Sequence, residues 1–310
     1  MAEVRFRRAY CLFRPSQSKA VLPMKLCRFN GGRLGLVEGE AVTDVSAALQ
    51  ALPSQRYPFP SHDVLIAHLN ELRPGIVEAA RTGQKHAASA VHYDPPVANP
   101  GKIIGAPINY KAHAQESAQD SNIGHGRAIT TIGDWGMFLK AGTSLIGVSD
   151  EIVLRFPERR NDHEVELAVV IGKTCRQVKA ADAMAHVAAY SLSLDMTLRG
   201  PEFQCFRKSI DSYAVLGPWL VTADEVPDPG QLDLWLQVNG QTRQQANTRD
   251  LIFDVPRLIE FASSFYTLQP GDVIMTGTPE GVGPVVPGDW IEAGVQGLGS
   301  LAMRVASQYA

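Results

Sequence analysis

Apolar residues recur along this chain mostly with period two. In HEVELAVVIGK (163–173), Val165, Leu167, Val169 and Ile171 alternate with Glu164, Glu166, Ala168 and Val170. Such alternation predicts a strand whose successive side chains leave on opposite faces. Short stretches of the same kind open the chain after residue 23, as MKLCRF, RLGLVEG and EAVTDVS. They return later as KIIGAP, GMFLK, EIVLRF, LDLWLQVNG, DVIMTG, DWIEAGV and SLAMRV. Helical spacing is predicted over 62–93, in HDVLIAHLNEL and GIVEAARTGQKHAASAV, and again at about 109–119, 179–189 and 254–264. Many short strands with Gly/Pro turns and few helices predict a β-rich α+β protein, not a doubly wound sheet.

The Pro-rich break YDPPVANPGK (93–102) divides the chain. Three segments are expected: an N-terminal tail (1–23), a small N-terminal α/β domain (24–98) and a larger catalytic domain (99–310). The tail is Arg-rich but has no uninterrupted apolar stretch, so it is not expected to be a secretory signal. A net charge of −3 and a pI near 6.2 give no reason to expect a nucleic-acid or anionic-membrane partner. No apolar run has the length of a membrane span. The four cysteines show no CxxC spacing, which suits a reducing, cytoplasmic setting, and Cys175 is expected to be structural.

The chemistry starts with Glu164 and Glu166, which a strand would aim at the same side. Two like charges held together need a positive partner. Ala168 and Val170 continue the acids' face and are apolar, so that face runs inward and the acids are expected at the rim of a cavity. Mg²⁺, Mn²⁺ and Ca²⁺ favour carboxylate oxygens. A zinc-protease reading fails, because HEVEL has no second histidine at the HExxH position. Asp195, at the end of the strand-like YSLSLDMTLRG, offers a third carboxylate. Alone it would read as a turn or salt-bridge residue. His113 and Glu116 are spaced i, i+3, on one helix face. GTPEGVG is Gly-rich but lacks Gly-Lys-Ser/Thr, so it is not a phosphate cradle.

From about residue 100 to 305 the chain resembles the fumarylacetoacetate hydrolase family. IIGAPINYKAHAQE, MFLKAGTSLIG, DHEVELAVVIGK, LDMTLRG, RKSIDSYAVLGPWLVT, VNGQTRQQANTRDLIF and GDVIMTGTPEGVGPVVPGD occur in that family's order. The resemblance implies a mixed β-sandwich roll, usually a homodimer, and metal ligation by Glu164, Glu166 and Asp195. The implied ion is Mg²⁺ or Mn²⁺, with Ca²⁺ able to replace it in crystals. It also implies Lys208 as an active-site lysine and Tyr110, Arg199, Glu202 and Thr278 as substrate-side residues. Glu116 would orient His113 to deprotonate water, and the following SAQDSNIGHG would act as a lid hinge. The implied substrates carry an α-keto acid or 1,3-dicarbonyl unit, whose enolate a divalent ion stabilises.

Three departures from the family pattern stand on what would be its substrate side: Leu194 for an asparagine, Glu202 for a glutamine, and Ala141-Gly142-Thr143-Ser144 for a Pro-x-Ser stretch. A pocket-facing Glu202 would disfavour an acidic substrate group. The leading expectation is hydrolytic C–C cleavage of an acylpyruvate or β-diketo acid, as in aromatic catabolism. Decarboxylation or tautomerisation of oxaloacetate or a hydroxymuconate-like diacid would use the same metal site. A non-catalytic binding protein would not need the retained His113, Glu116 and Lys208.

Overall fold

The computed structural model describes residues 24–120, 123 and 132–307. The tail (1–23) and most of the expected hinge beyond Asp120 lie outside the described residues. The strands are β1 Lys25–Phe29, β2 Arg33–Glu38, β3 Ala41–Asp44, β4 Lys85–Ala87, β5 Tyr93–Asp94, β6 Ile103–Gly105, β7 Phe138–Lys140, β8 Leu145–Ile146, β9 Ile152–Val153 and β10 Asn161–His163. They continue as β11 Val165–Ile171, β12 Val187–Asp195, β13 Thr197–Leu198, β14 Ala214–Thr222, β15 Asp233–Val238, β16 Gln241–Asn247, β17 Val273–Met275, β18 Gly283–Pro284, β19 Trp290–Val295 and β20 Gly299–Ala306.

The main sheet runs β4-β3-β2-β1-β14-β12-β11-β17-β6-β7, with β5 added on β1 and β8 on β14. A second sheet runs β16-β15-β19-β20-β9, and a small third one β13-β10-β18. Few helices interrupt this plan, as the β-rich reading expected. The strands of 24–98 join the same sheet as the rest of the chain, through β1 and β14. They keep an apolar cluster of their own, in which Leu26, Leu34 and Val45 meet Leu69, Leu72 and Ile76.

β11 is buried along its whole length, and its two faces do different work. Val165, Leu167, Val169 and Ile171 enter the core between the sheets, with Leu234, Leu236, Ile291 and Met303. Ala168 and Val170 pack on the other side, against Ile103, Leu216 and Met275. The face that carries the acids therefore does run inward.

Two helical expectations were too long. Over 62–93 the helices are Val64–Ala67 and Leu69–Ala80, and Lys85–Ala87 is a strand paired with β3. Gly83 makes that turn. A Cβ there would lie 2.1 Å from the Asp44 carbonyl, so only glycine allows the close approach. Over 179–189 only Ala180–Ala183 is α-helical; Val187 and Ala189 are drawn into β12 opposite Ile171 and Val170. Pairing with a buried strand outweighs the helix preference of the alanines. β14 escaped the periodicity reading because Gly217-Pro218 interrupts it. The β12–β14 register shifts between Tyr190 and Leu192, an irregularity of the kind that admits proline within a sheet.

Candidate active site

The three carboxylates meet because of register. β11 and β12 are antiparallel, with Val165 opposite Leu194 and Glu166 opposite Ser193. One step further, the Asp195 N–H donates to the Glu164 carbonyl at 2.9 Å. Glu164, Glu166 and Asp195 thus share a face, are all buried, and bring carboxylate oxygens within 4.8 Å of one another.

Three cations surround them. Lys208 Nζ donates to Glu164 Oε2 and Asp195 Oδ2, each at 2.7 Å, and to Thr197 Oγ1 at 2.6 Å. Lys140 Nζ lies 2.5 Å from Asp195 Oδ1. Arg199 joins Glu164 Oε1 (2.9 Å) to Asp162 Oδ2 (2.7 Å). Burial pushes the Glu164 carboxyl up, but Lys208 and Arg199 outweigh it and hold the group well below the usual range. Glu166 goes the other way. Burial, and then the charges of Asp195 and Glu164, raise it well above an ordinary carboxyl, against one backbone donor, Gly277 N–H, at 2.7 Å. Lys140 is pushed down by its burial, against the pull of Asp195. A cluster of oxygen donors in which the Glu166 carboxyl resists ionisation is chemically suited to a hard divalent cation, which removes the repulsion.

His113 stands on the helix Lys111–Gln119 and is almost wholly buried. Its Nδ1 lies 2.8 Å from Glu116 Oε2, and the other carboxylate oxygen of Glu116 accepts from Gly281 N–H at 2.9 Å. Glu116 is thereby fixed from two sides. Donation from Nδ1 leaves the lone pair on Nε2. His113, Glu164, Glu166, Arg199, Lys208 and Thr278 line one cavity.

Tyr110 and Glu202 are not among the residues that line it. Tyr110 is buried beside the start of the helix, where burial and then the charge of Glu166 raise its phenol. Glu202 turns to Arg159, with bonds of 3.0 and 2.9 Å, so the expectation that it would repel an acidic substrate group loses its basis. Gln204, two residues on, is the amide on the cavity wall. Leu194 points away from the acids into the main core, because Asp195 takes the other face of β12. Ala141, Gly142 and Thr143 are exposed in a short turn.

Sequence reasoning missed Lys140, Gln204, Arg207 and Gln244. Lys140 lay inside a quoted motif, but one lysine in a three-residue strand reads as a surface charge. Gln244 is wholly buried and uses its amide fully. Its Oε1 accepts from Val165 N–H and bonds His163 Nδ1, each at 3.1 Å. Its Nε2 donates to Thr278 Oγ1 at 2.8 Å and to the Pro279 carbonyl at 2.9 Å. It ties the strand that carries the glutamates to the loop that carries Thr278.

The profile described as fumarylacetoacetate (FAA) hydrolase C-terminal matches residues 102–306. A protein of Aquipseudomonas alcaligenes named maleylpyruvate hydrolase is 53% identical over 286 residues, covering 92% of this chain and all of that one. The 2,4-didehydro-3-deoxy-L-rhamnonate hydrolase of Sphingomonas sp. (strain SKA58) is 41% identical over 227 residues, covering 69% of this chain and 76% of that one. Among solved structures, maleylpyruvate hydrolase from Sphingobium sp. SYK-6, in complex with manganese(II) and pyruvate, superposes with a TM-score of 0.78 at 42% identity, covering 92% of this chain and 100% of that one. Profile, sequence relatives and superposition agree that this chain belongs to the fumarylacetoacetate hydrolase family.

Proposed function

We propose that this protein is a divalent-metal-dependent hydrolase that cleaves a C–C bond of an acylpyruvate, with maleylpyruvate as the first candidate substrate. One observation carries the reading: His113, held by Glu116, lines one cavity with Glu164 and Glu166, which form a buried three-carboxylate cluster with Asp195. The name of the 53% identical relative, and the manganese and pyruvate bound by the 42% identical structure, support it.

Glu164, Glu166 and Asp195 would hold Mn²⁺ or Mg²⁺. Such an ion supplies stabilisation of negative charge on the keto oxygens. The other steps fall to side chains. His113 Nε2 takes a proton from water as the water oxygen bonds to the acyl carbonyl carbon. The bond from that carbon to the pyruvyl methylene then breaks, and its electron pair passes to the pyruvyl unit as an enolate. Lys208 supplies a positive charge beside that enolate. The proton held by His113 returns to the methylene carbon, and the products are a carboxylic acid and pyruvate. The dyad favours hydrolysis, since decarboxylation or tautomerisation through an enolate needs no attacking water.

The test is turnover of acylpyruvates, oxaloacetate and ring-cleavage diacids, each with and without Mn²⁺. Mn²⁺-dependent release of pyruvate from maleylpyruvate is expected. Turnover of none of them would favour a non-catalytic binding protein.

We further propose a cytoplasmic homodimer joined through the segment after residue 100, with 1–23, 24–98 and 99–310 as tail, small domain and catalytic domain. Free Cys27 and Cys175 suit a reducing compartment, and no described helix is long and apolar enough to cross a membrane. Phe203 and Phe206, 73% and 74% exposed on one short segment, form an apolar surface that a second copy would cover. Light scattering at micromolar concentration should give twice the monomer mass; a monomer would contradict the dimer.

A further inference from the structure

Strand β6 passes into the helix that carries His113 through Ala106-Pro107-Ile108-Asn109-Tyr110. At the turn, Ile108 has a φ of +47°. The other non-glycine residues with positive φ among those described are Asn30, Gln177, Ser212 and Asn239, so Ile108 is the one with a β-branched side chain. A branched Cβ is strained in the left-handed region, which glycine enters at no steric cost. The strain persists because both flanks are clamped. On one side, the Ala106 N–H donates to the Met275 carbonyl at 3.0 Å. On the other, Asn109 is wholly buried and fully engaged. Its Nδ2 donates to the Phe253 and Thr276 carbonyls at 2.9 and 2.7 Å, and its Oδ1 accepts from Phe253 N–H at 2.8 Å. Gly277 leaves room for it, since a Cβ there would lie 2.6 Å from Asn109 Cβ. Backbone strain held in this way gathers where a side chain has a task.

We propose that Ile108 is a specificity-determining residue, whose branched side chain bears on the carbon chain of the acyl group and limits the bulk beside the acyl carbonyl. Ile108 is half-buried and lines the cavity with Ala106, Pro107 and Phe138. These residues form one apolar stretch. Phe138 stands opposite Gly105 in the β6–β7 ladder, and its ring lies 2.1 Å from where a Gly105 Cβ would be. Glu164 and Glu166 reach the cavity from β11 and the residue before it, and β17 separates β11 from β6. The α-keto acid unit of the substrate belongs with the ion and the charged groups, which leaves the acyl chain to the apolar stretch. His113 lines the same cavity from the helix that follows, so the base and the apolar stretch meet at the acyl end. Glycine at 108 would turn the chain with less strain and would leave that stretch open. The strained isoleucine is therefore explained by its side chain.

This inference rests on the proposed function, and its test separates the two. The substrates are maleylpyruvate and its analogue with one methyl group on the alkene carbon next to the acyl carbonyl, both with Mn²⁺ present. One carbon too many against a fitted apolar wall is worth about 10–200-fold in kcat/KM, and the wild type should prefer maleylpyruvate in that range. I108A should lower this preference by about tenfold or more. I108V keeps the branch, removes one methyl group and should lower the preference about threefold. I108G should match I108A in preference but melt about 2–4 °C higher, the reverse of the usual order of alanine and glycine, because glycine alone is unstrained at this φ. A preference unchanged in I108A and I108V, with both substrates slowed alike, would make Ile108 structural and overturn the proposal. So would a wild type that treats the two substrates alike, and so would I108G melting below I108A. A wild type that hydrolyses neither would overturn the proposed function and this inference with it.

Discussion

Asp195 lies directly across the antiparallel ladder from Glu164, its backbone N–H on the Glu164 carbonyl at 2.9 Å. That single register contact assembles the candidate metal site. Two glutamates two residues apart supply one edge of the site, and the neighbouring strand returns a third carboxylate on the same face.

The members of this cluster should not respond alike to removal of charge. Glu166 is the carboxyl pushed up by its surroundings, so E166Q removes little that is ionised before the ion binds. Its melting temperature should stay close to that of the wild type while Mn²⁺ affinity, by calorimetry, falls by about two orders of magnitude. D195N leaves Lys140 and Lys208 buried without their shared carboxylate. It should lose both Mn²⁺ affinity and about 3 kcal/mol of stability. Wild-type Mn²⁺ affinity in both variants would reject the site.

The raised Glu166 carboxyl also predicts how binding depends on pH. Without the ion, Glu166 keeps its proton at pH values where an ordinary carboxyl has lost it. Binding then displaces a proton. Apparent Mn²⁺ affinity should therefore rise with pH until the pH passes the raised carboxyl, and level off above it. The same shift makes the ion-free fold lose stability as pH rises from the ordinary carboxyl range through the raised one, since ionisation is disfavoured in the folded state. Calorimetry in buffers of different ionisation enthalpy should show proton release at pH values below the raised carboxyl. Release that vanishes in the wild type but appears in E166Q would contradict this assignment.

His113 and Glu116 should differ in weight. General-base assistance contributes about 10²–10⁴-fold, so H113A should lower acylpyruvate turnover by that range with Mn²⁺ binding preserved. E116Q should cost less, because the histidine remains in place. Any decarboxylation of oxaloacetate should survive H113A better than hydrolysis does. An unchanged ratio of the two activities would remove His113 as the base specific to hydrolysis.

Gln244 is a structural brace rather than a participant. Q244A would leave Val165 N–H, Thr278 Oγ1 and the Pro279 carbonyl each short of a buried partner. A loss of about 2–4 kcal/mol in urea unfolding is expected, on about 1–3 kcal/mol per buried group left unsatisfied with partial relaxation. An unchanged midpoint would contradict the bracing role.

What the sequence made legible follows from distance along the chain. Glu164 and Glu166 share a face because the strand period is local, and His113 and Glu116 meet because one helical turn separates them. Asp195 needed the β11–β12 register, which no local pattern specifies; motif order, not periodicity, pointed to it. Lys140 is 55 residues from its partner Asp195, and nothing in FLK signals that it is buried. Glu202 failed as a pocket residue because counting along the chain ignores Arg159, a partner 43 residues away. β14 was hidden by Gly217-Pro218, since a proline argues against a central strand unless an irregular register makes room for it.

The central claim is that water, activated in this cavity, cleaves the acyl–methylene bond of an acylpyruvate. Hydrolysis of maleylpyruvate in isotopically labelled water, with Mn²⁺ added to protein stripped of metal, tests it most directly. The account predicts equimolar pyruvate and acyl acid, with solvent oxygen in the new carboxylate of the acyl product and no reaction before Mn²⁺ is restored. Isomerised substrate without pyruvate, or carbon dioxide in place of a second acid, would contradict it.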